Sequence, residues 1–149
     1  MSTASPHLDA HIHLWRARDG EDFWMRRKIP ALDRDFTEDD LRANRARCGV
    51  GGAIAVQAMH NIAESRRLLA AAGRSDQLAG VVAWCDLFDP ALEAVLAAYA
   101  GTPGFVGVRP LPPDAVGGDW LAEPRRRHAF QVFAAHDSSV DVLVRVEDL

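Results

Sequence analysis

Leu8-Asp9-Ala10-His11-Ile12-His13-Leu14-Trp15 is a short apolar run that carries a His-x-His pair close to the N-terminus. In a β-strand, residues two apart project from one face. His11 and His13 are therefore expected to point the same way, with Asp9 beneath them. Ala10, Ile12 and Leu14 point the other way and can be buried under helices. Two neutral imidazoles converging at a strand end can supply two ligands to one divalent metal. Taken alone, the stretch reads equally well as an ordinary strand that happens to carry two histidines, so its surroundings decide.

Outward from this run, strand and helix signals alternate. The pattern predicts a strand over 8–14 and a poorly periodic Trp/Arg-rich loop over 15–35. A helix follows from Thr37, with Asp40 three residues on as a capping-box variant. It should stop near Cys48-Gly49, where glycine takes a left-handed cap. A second strand is expected over 52–57, and a helix from Asn61, with Glu64 three residues later, to about Gly73. The nearly all-apolar 78–85 is the third strand. Asp89-Pro90 reads as an N-cap with proline at the first helical position, opening a helix that ends before Gly101. A fourth strand covers 105–109, a helix lies near Pro124–Ala135, and a fifth strand covers 140–145. Apolar strands alternating with helices define an α/β protein with a parallel sheet.

Composition bounds the function. The 149 residues suit one domain, residues 1–149, large enough to bury a core. The chain is 48% hydrophobic and 26% charged, as a globular protein is. A net charge of −4 gives no electrostatic case for nucleic acid or an anionic membrane, and Arg125-Arg126-Arg127 reads as a solvated helix face. No apolar segment approaches membrane-spanning length. Met1 to Pro6 lack the charged and apolar regions of a secretory signal, and Cys48 and Cys85 stand isolated as reduced structural thiols. The cytoplasm is the expected compartment, and a small molecule the expected partner.

Strand C-terminal ends are where α/β folds place their chemistry. Here they carry His11, His13, Gln57, Trp84, Arg109 and Arg145. Gln57 shares strand parity with Ala55 and Ala53, and Arg109 with Gly107 and Phe105. Small residues beneath a large polar one suit the inside of a closed barrel, which would turn Ile54, Val56, Val106 and Val108 toward the helices. His60 reads as a loop histidine near the site, Asp9 as an orienting group for the histidines, and His128 and His136 as surface residues.

Together these segments resemble the amidohydrolase superfamily, in its branch of metal-dependent (β/α)8 TIM-barrel hydrolases that includes sugar-lactone lactonases. The resemblance rests on Leu8 to Trp15, Phe23-Trp24, Arg34 to Leu41, Val56-Gln57-Ala58, Ala63 to Arg66, Gly80 to Trp84 and Gly104 to Arg109, in that order. It implies that His11 and His13 sit at the first-strand metal position. It also implies that Gln57, Trp84 and Arg109, with Trp24 and His60, line the substrate pocket. A divalent metal, zinc or manganese, would polarise a lactone carbonyl or activate water. Arg109 would bind a carboxylate or hydroxyls in bidentate fashion, and Trp84 and Trp24 would form an apolar wall.

The family's later-strand histidine and final-strand aspartate have no counterpart among these residues, so the catalytic proton acceptor is unassigned; Asp86 and Asp89 lie near the third strand end, which is not the family position. A complete barrel needs at least ~200 residues. The expectation is therefore an incomplete barrel of about five parallel strands with helices outside, its apolar interior covered in a homo-oligomer or by a missing C-terminal half. Little or no turnover is expected of this stretch by itself. Three functional classes stand at this point: a metal-assisted lactonase, a non-catalytic fragment that binds a small ligand or partner, and a doubly wound five-stranded domain of the response-regulator type.

Overall fold

The alternation of strands and helices produces a single parallel sheet in a computed structural model that describes residues 7–17, 29–110 and 123–143. Strands β1 (Leu8–Ile12), β2 (Gly52–Val56), β3 (Leu78–Ala83) and β4 (Phe105–Val108) lie in the order β1-β2-β3-β4, each beside its predecessor. Between and after them run α1 (Glu38–Cys48), α2 (Ile62–Ala72), α3 (Leu92–Ala100) and α4 (Pro124–Ala135). Sequential order with helical crossovers is a barrel-type arrangement. It overturns the doubly wound alternative, which requires a reversal of strand order.

The helices share one layer. Leu41 of α1, Leu68 and Leu69 of α2, Leu96 and Tyr99 of α3 and Phe133 of α4 join one buried cluster with Ala53, Ala55, Val81, Ala83 and Val108 of the sheet. Burying each large apolar side chain contributes roughly 1.5–3 kcal/mol. The opposite face is open: Leu8 is 48% exposed and Val106 41%. These exposures correct the facing expected for β2 and for Val106. Ala53 and Ala55 lie under the helices, where small side chains let helix and sheet approach. Ile54 is half-buried, and Val106 stands on the open side.

The strands also pair with irregular register. Asp9 pairs with Ala53 and Ile12 with Ala55, so the register slips between them; a second slip separates Ala53 from Ile54 opposite β3, and a third Val81 from Val82 opposite β4. Each slip breaks strict alternation. Asp9 Oδ1 accepts from His11 N at 3.2 Å. Asp9 lines a cleft of about 300 Å³ together with His13 and with Asp40, Leu41, Asn44 and Arg45 of α1. On the open face a Cβ at Gly80 would lie 2.7 Å from Val106 Cγ1, so only glycine admits that approach.

Helix ends follow the sequence closely. Asp40 Oδ2 accepts from Thr37 N at 2.8 Å, and Gly49 closes α1 with φ 67°. Asn61 Oδ1 accepts from Glu64 N at 2.7 Å and caps α2. The α3 start is shifted. Asp89 Oδ1 accepts from Ala91 N at 2.8 Å in a preliminary turn, and the helix begins at Leu92 rather than at Pro90.

After α4, Val140 makes a parallel bridge to Val108, and Asp141 N donates to Val108 O at 2.8 Å. The fifth strand expected over 140–145 is reduced to that bridge among the described residues, and Arg145 lies outside them. Among the described residues the sheet is thus four strands of a partial barrel. No helix among the described residues is long and apolar enough to cross a membrane.

Candidate functional site

The C-terminal ends of β1, β2 and β4 bring four of the expected residues together. His11 is exposed and His13 half-buried, and their Nε2 atoms lie 3.3 Å apart with the rings edge to face. His13 Nδ1 is 2.9 Å from Val56 O. A carbonyl only accepts, so Nδ1 carries the proton and Nε2 of neutral His13 keeps its lone pair. Burial lowers the His13 pKa below the usual histidine value, against the Val56 hydrogen bond, and the charges of Arg109 and His11 lower it further. Neutral imidazole is the ligating form.

Arg109 completes the cluster. Its Nη1 lies 3.4 Å from His11 Nε2, and its Nη2 donates to Gln57 O at 2.6 Å. Gln57 Nε2 donates back to Arg109 O at 3.0 Å, which locks the ends of β2 and β4 to each other. Gln57 is fully buried and Arg109 only 8% exposed. Gln57 Oε1 and Arg109 Nε have no hydrogen-bond partner among the described residues. Burial lowers the Arg109 pKa, opposed by the charges of Asp141 and Glu64; a guanidinium stays protonated regardless.

Trp84 and His60 form a second pair, ring centroids 6.4 Å apart and 5° from parallel. Trp84 is fixed through its backbone: its N donates to Ser65 Oγ at 2.8 Å, and its O accepts from Tyr99 Oη at 3.0 Å. Trp24 lies outside the described residues. Asp86 is exposed, and its Oδ1 accepts from Phe88 N at 2.9 Å, a local turn contact. His128 is exposed, while His136 lies 3.7 Å from Glu93 beside α4.

Glu64 has a role that sequence reasoning did not assign. Its spacing from Asn61 suggested a helix-capping partner, and its backbone N does serve the cap. Its carboxylate is buried at 1% exposure and turns to the loop after β2, where Oε2 accepts from Ala58 N (3.0 Å) and Met59 N (2.8 Å). Arg67, one turn along α2, lies 4.0 Å from Glu64 Oε1 and donates to Leu14 O at 3.1 Å. One helix thus ties down the segments that follow His13 and Gln57. A buried acid in a first helical turn beside a strand end was the available signal.

Does this donor set suit a divalent metal? Two nitrogens each about 2.0–2.1 Å from a tetrahedral zinc lie about 3.4 Å apart, close to the 3.3 Å between the two Nε2 atoms. The Val56 carbonyl fixes the His13 tautomer as an outer-shell acceptor does in metal sites. His11 and His13 therefore fit as two ligands. Among the described residues no group of three His, Cys, Asp or Glu side chains converges.

A family model for amidohydrolases matches residues 8–148, and the chain belongs to that family. Its likeness to particular members is substantial. It is 35% identical over 137 residues to an L-fucono-1,5-lactonase of Burkholderia ambifaria, covering 92% of this chain and 47% of the relative. A crystal structure of an amidohydrolase from Burkholderia multivorans with bound zinc superposes with a TM-score of 0.81 at 30% identity, covering 93% of this chain and 49% of that one. An amidohydrolase from Bifidobacterium longum subsp. infantis, 21% identical with a TM-score of 0.65, shares the fold; the match covers 93% of this chain and 51% of that one. The chain spans about half the length of the Burkholderia ambifaria relative it matches.

Proposed function

We propose that this chain carries the N-terminal part of a lactone-opening site that acts on a cyclic ester of a small polyhydroxy acid. The observation that carries this is that His11 Nε2 lies 3.3 Å from His13 Nε2 and 3.4 Å from Arg109 Nη1 at the strand ends. Support comes from the 35% identity to an L-fucono-1,5-lactonase. His11 and His13 would hold a divalent metal, zinc or manganese. When bound, it supplies a Lewis acid for a carbonyl oxygen or for water. Zinc in the Burkholderia multivorans structure supports that assignment.

The chain's own residues divide the remaining work. Arg109 presents a fixed positive charge toward anionic or hydroxyl oxygens of the ligand. Gln57, being fully buried, acts by fixing Arg109 rather than by touching substrate. Trp84 and His60 offer a flat wall for the apolar face of a ring, with Trp24 assigned there from sequence alone. Residues 1–149 act as one domain in the cytoplasm. The open sheet face, with Leu8 and Val106 exposed, is covered in the working assembly by a second copy or by the remaining barrel strands.

Ligand binding without turnover is a second reading. One observation favours it: no third His, Cys, Asp or Glu joins the histidines among the described residues, whereas catalytic zinc sites usually have three protein ligands. Assaying the chain against a panel of aldonolactones, with and without zinc or manganese, separates the two. Metal-stimulated ring opening that disappears in His11→Ala and His13→Ala carries the first. Saturable lactone binding without hydrolysis carries the second, and neither binding nor hydrolysis refutes both.

A further inference from the structure

The guanidinium of Arg109 lies beside the His11 nitrogen that a metal ion would use. Its Nη1 is 3.4 Å from His11 Nε2, the same nitrogen that lies 3.3 Å from His13 Nε2. It is not a mobile surface side chain. Arg109 is 8% exposed, its Nη2 is held by Gln57 O at 2.6 Å, and its backbone carbonyl is held by Gln57 Nε2 at 3.0 Å. Arginine cannot lose its charge at any ordinary pH. Like charges a few ångströms apart in a partly desolvated site repel strongly.

We infer that Arg109 is a built-in competitor of the metal: it holds the His11–His13 pair at low affinity for divalent cations. Charge and position act together. The guanidinium donates toward the His11 lone pair that a metal would take, and it adds a permanent positive charge beside any cation that displaces it. The Gln57 lock sets the strength of the competition, because Arg109 cannot swing away without breaking the bond between the ends of β2 and β4. A site built this way takes up metal only when something else engages the guanidinium. By reciprocity of linked binding, an anionic ligand that draws Arg109 off His11 tightens the metal site by the same factor as the metal tightens the anion.

This inference rests on the histidine pair being the metal site and does not depend on lactone turnover. The test is a calorimetric titration with Zn2+, repeated with Co2+ and its visible absorption, of four proteins: wild type, Arg109→Gln, Arg109→Lys and His11→Ala/Arg109→Gln. Glutamine removes the charge but retains a donor for Gln57 O, and circular dichroism checks that each variant is folded. Arg109→Gln is expected to bind metal at least tenfold more tightly than wild type. Arg109→Lys should stay near wild type, since the charge remains. The gain should vanish in the double variant. Arg109→Gln no better than wild type, including no binding by either, overturns the inference. Tight binding that persists in the double variant instead overturns the metal-site assignment beneath it. Should Arg109→Gln fail to fold, Arg109→Met carries the same expectation.

Discussion

Replacing Glu64 by alanine should destabilise the fold by about 3–5 kcal/mol, because the carboxylate serves groups that nothing else can satisfy. Its Oε2 accepts from both Ala58 N and Met59 N, and the side chain is fully sequestered in a loop packed beneath Trp15 and Phe36. Each buried backbone N–H left without an acceptor costs about 1–3 kcal/mol. Breaking a buried ion pair by removing one partner costs about as much again as those two together, but the 4.0 Å approach of Arg67 is loose. Glutamine keeps an acceptor oxygen and loses only the charge, so Glu64→Gln should cost about 1–2 kcal/mol. Urea unfolding measures both: with a slope of about 2 kcal/mol per molar, alanine lowers the midpoint by about 1.5–2.5 M and glutamine by less than 1 M. An alanine variant within about 0.5 kcal/mol of wild type, or a glutamine variant as damaged as alanine, would show that Glu64 is not the acceptor holding this loop.

Protonation of His13 gives a pH dependence of defined sign. Its pKa is lowered in the folded chain, chiefly by burial, so the unfolded chain binds the extra proton first. Stability is therefore full above the unfolded value of about 6.5 and falls as pH drops through it; thermal melts across that window should flatten in His13→Gln. Gly80→Ala places a methyl 2.7 Å from Val106 Cγ1, which should cost about 1–3 kcal/mol by overpacking. Shortening the partner in Gly80→Ala/Val106→Ala should recover most of that loss, a coupling that a double-mutant cycle reads directly. Additive costs in that cycle would contradict the close-approach account.

Local signals in the sequence translated well into structure. Thr37 with Asp40, Gly49 and Asn61 mark helix ends because capping is settled within one turn of chain. The sequential sheet followed from alternation and crossover length, and His11, His13, Gln57 and Arg109 meet because strand ends in such a sheet share one rim. Side-chain facing was less legible. Counting by twos from Gln57 placed Ala53 and Ala55 inside a barrel, whereas they lie in the cluster buried under the helices; the register slips along β1, β2 and β3 were not legible at all. Such slips depend on the partner strand and leave no mark in the strand's own residues. The Glu64 carboxylate was missed for a similar reason: its acceptor role depends on how the 58–59 loop folds back over α2.

The central claim is that His11, His13, Gln57 and Arg109 form one ligand site at the strand ends. Nuclear magnetic resonance of the histidine rings and side-chain amides during titration with an aldonolactone tests it without requiring turnover. The account predicts saturable shifts of the His11 and His13 rings and of the Gln57 amide, all with one dissociation constant, while His128 and His136 stay fixed. Ligand-dependent shifts confined to His128 or His136, or shifts at His11 and His13 that leave Gln57 unmoved, would contradict it.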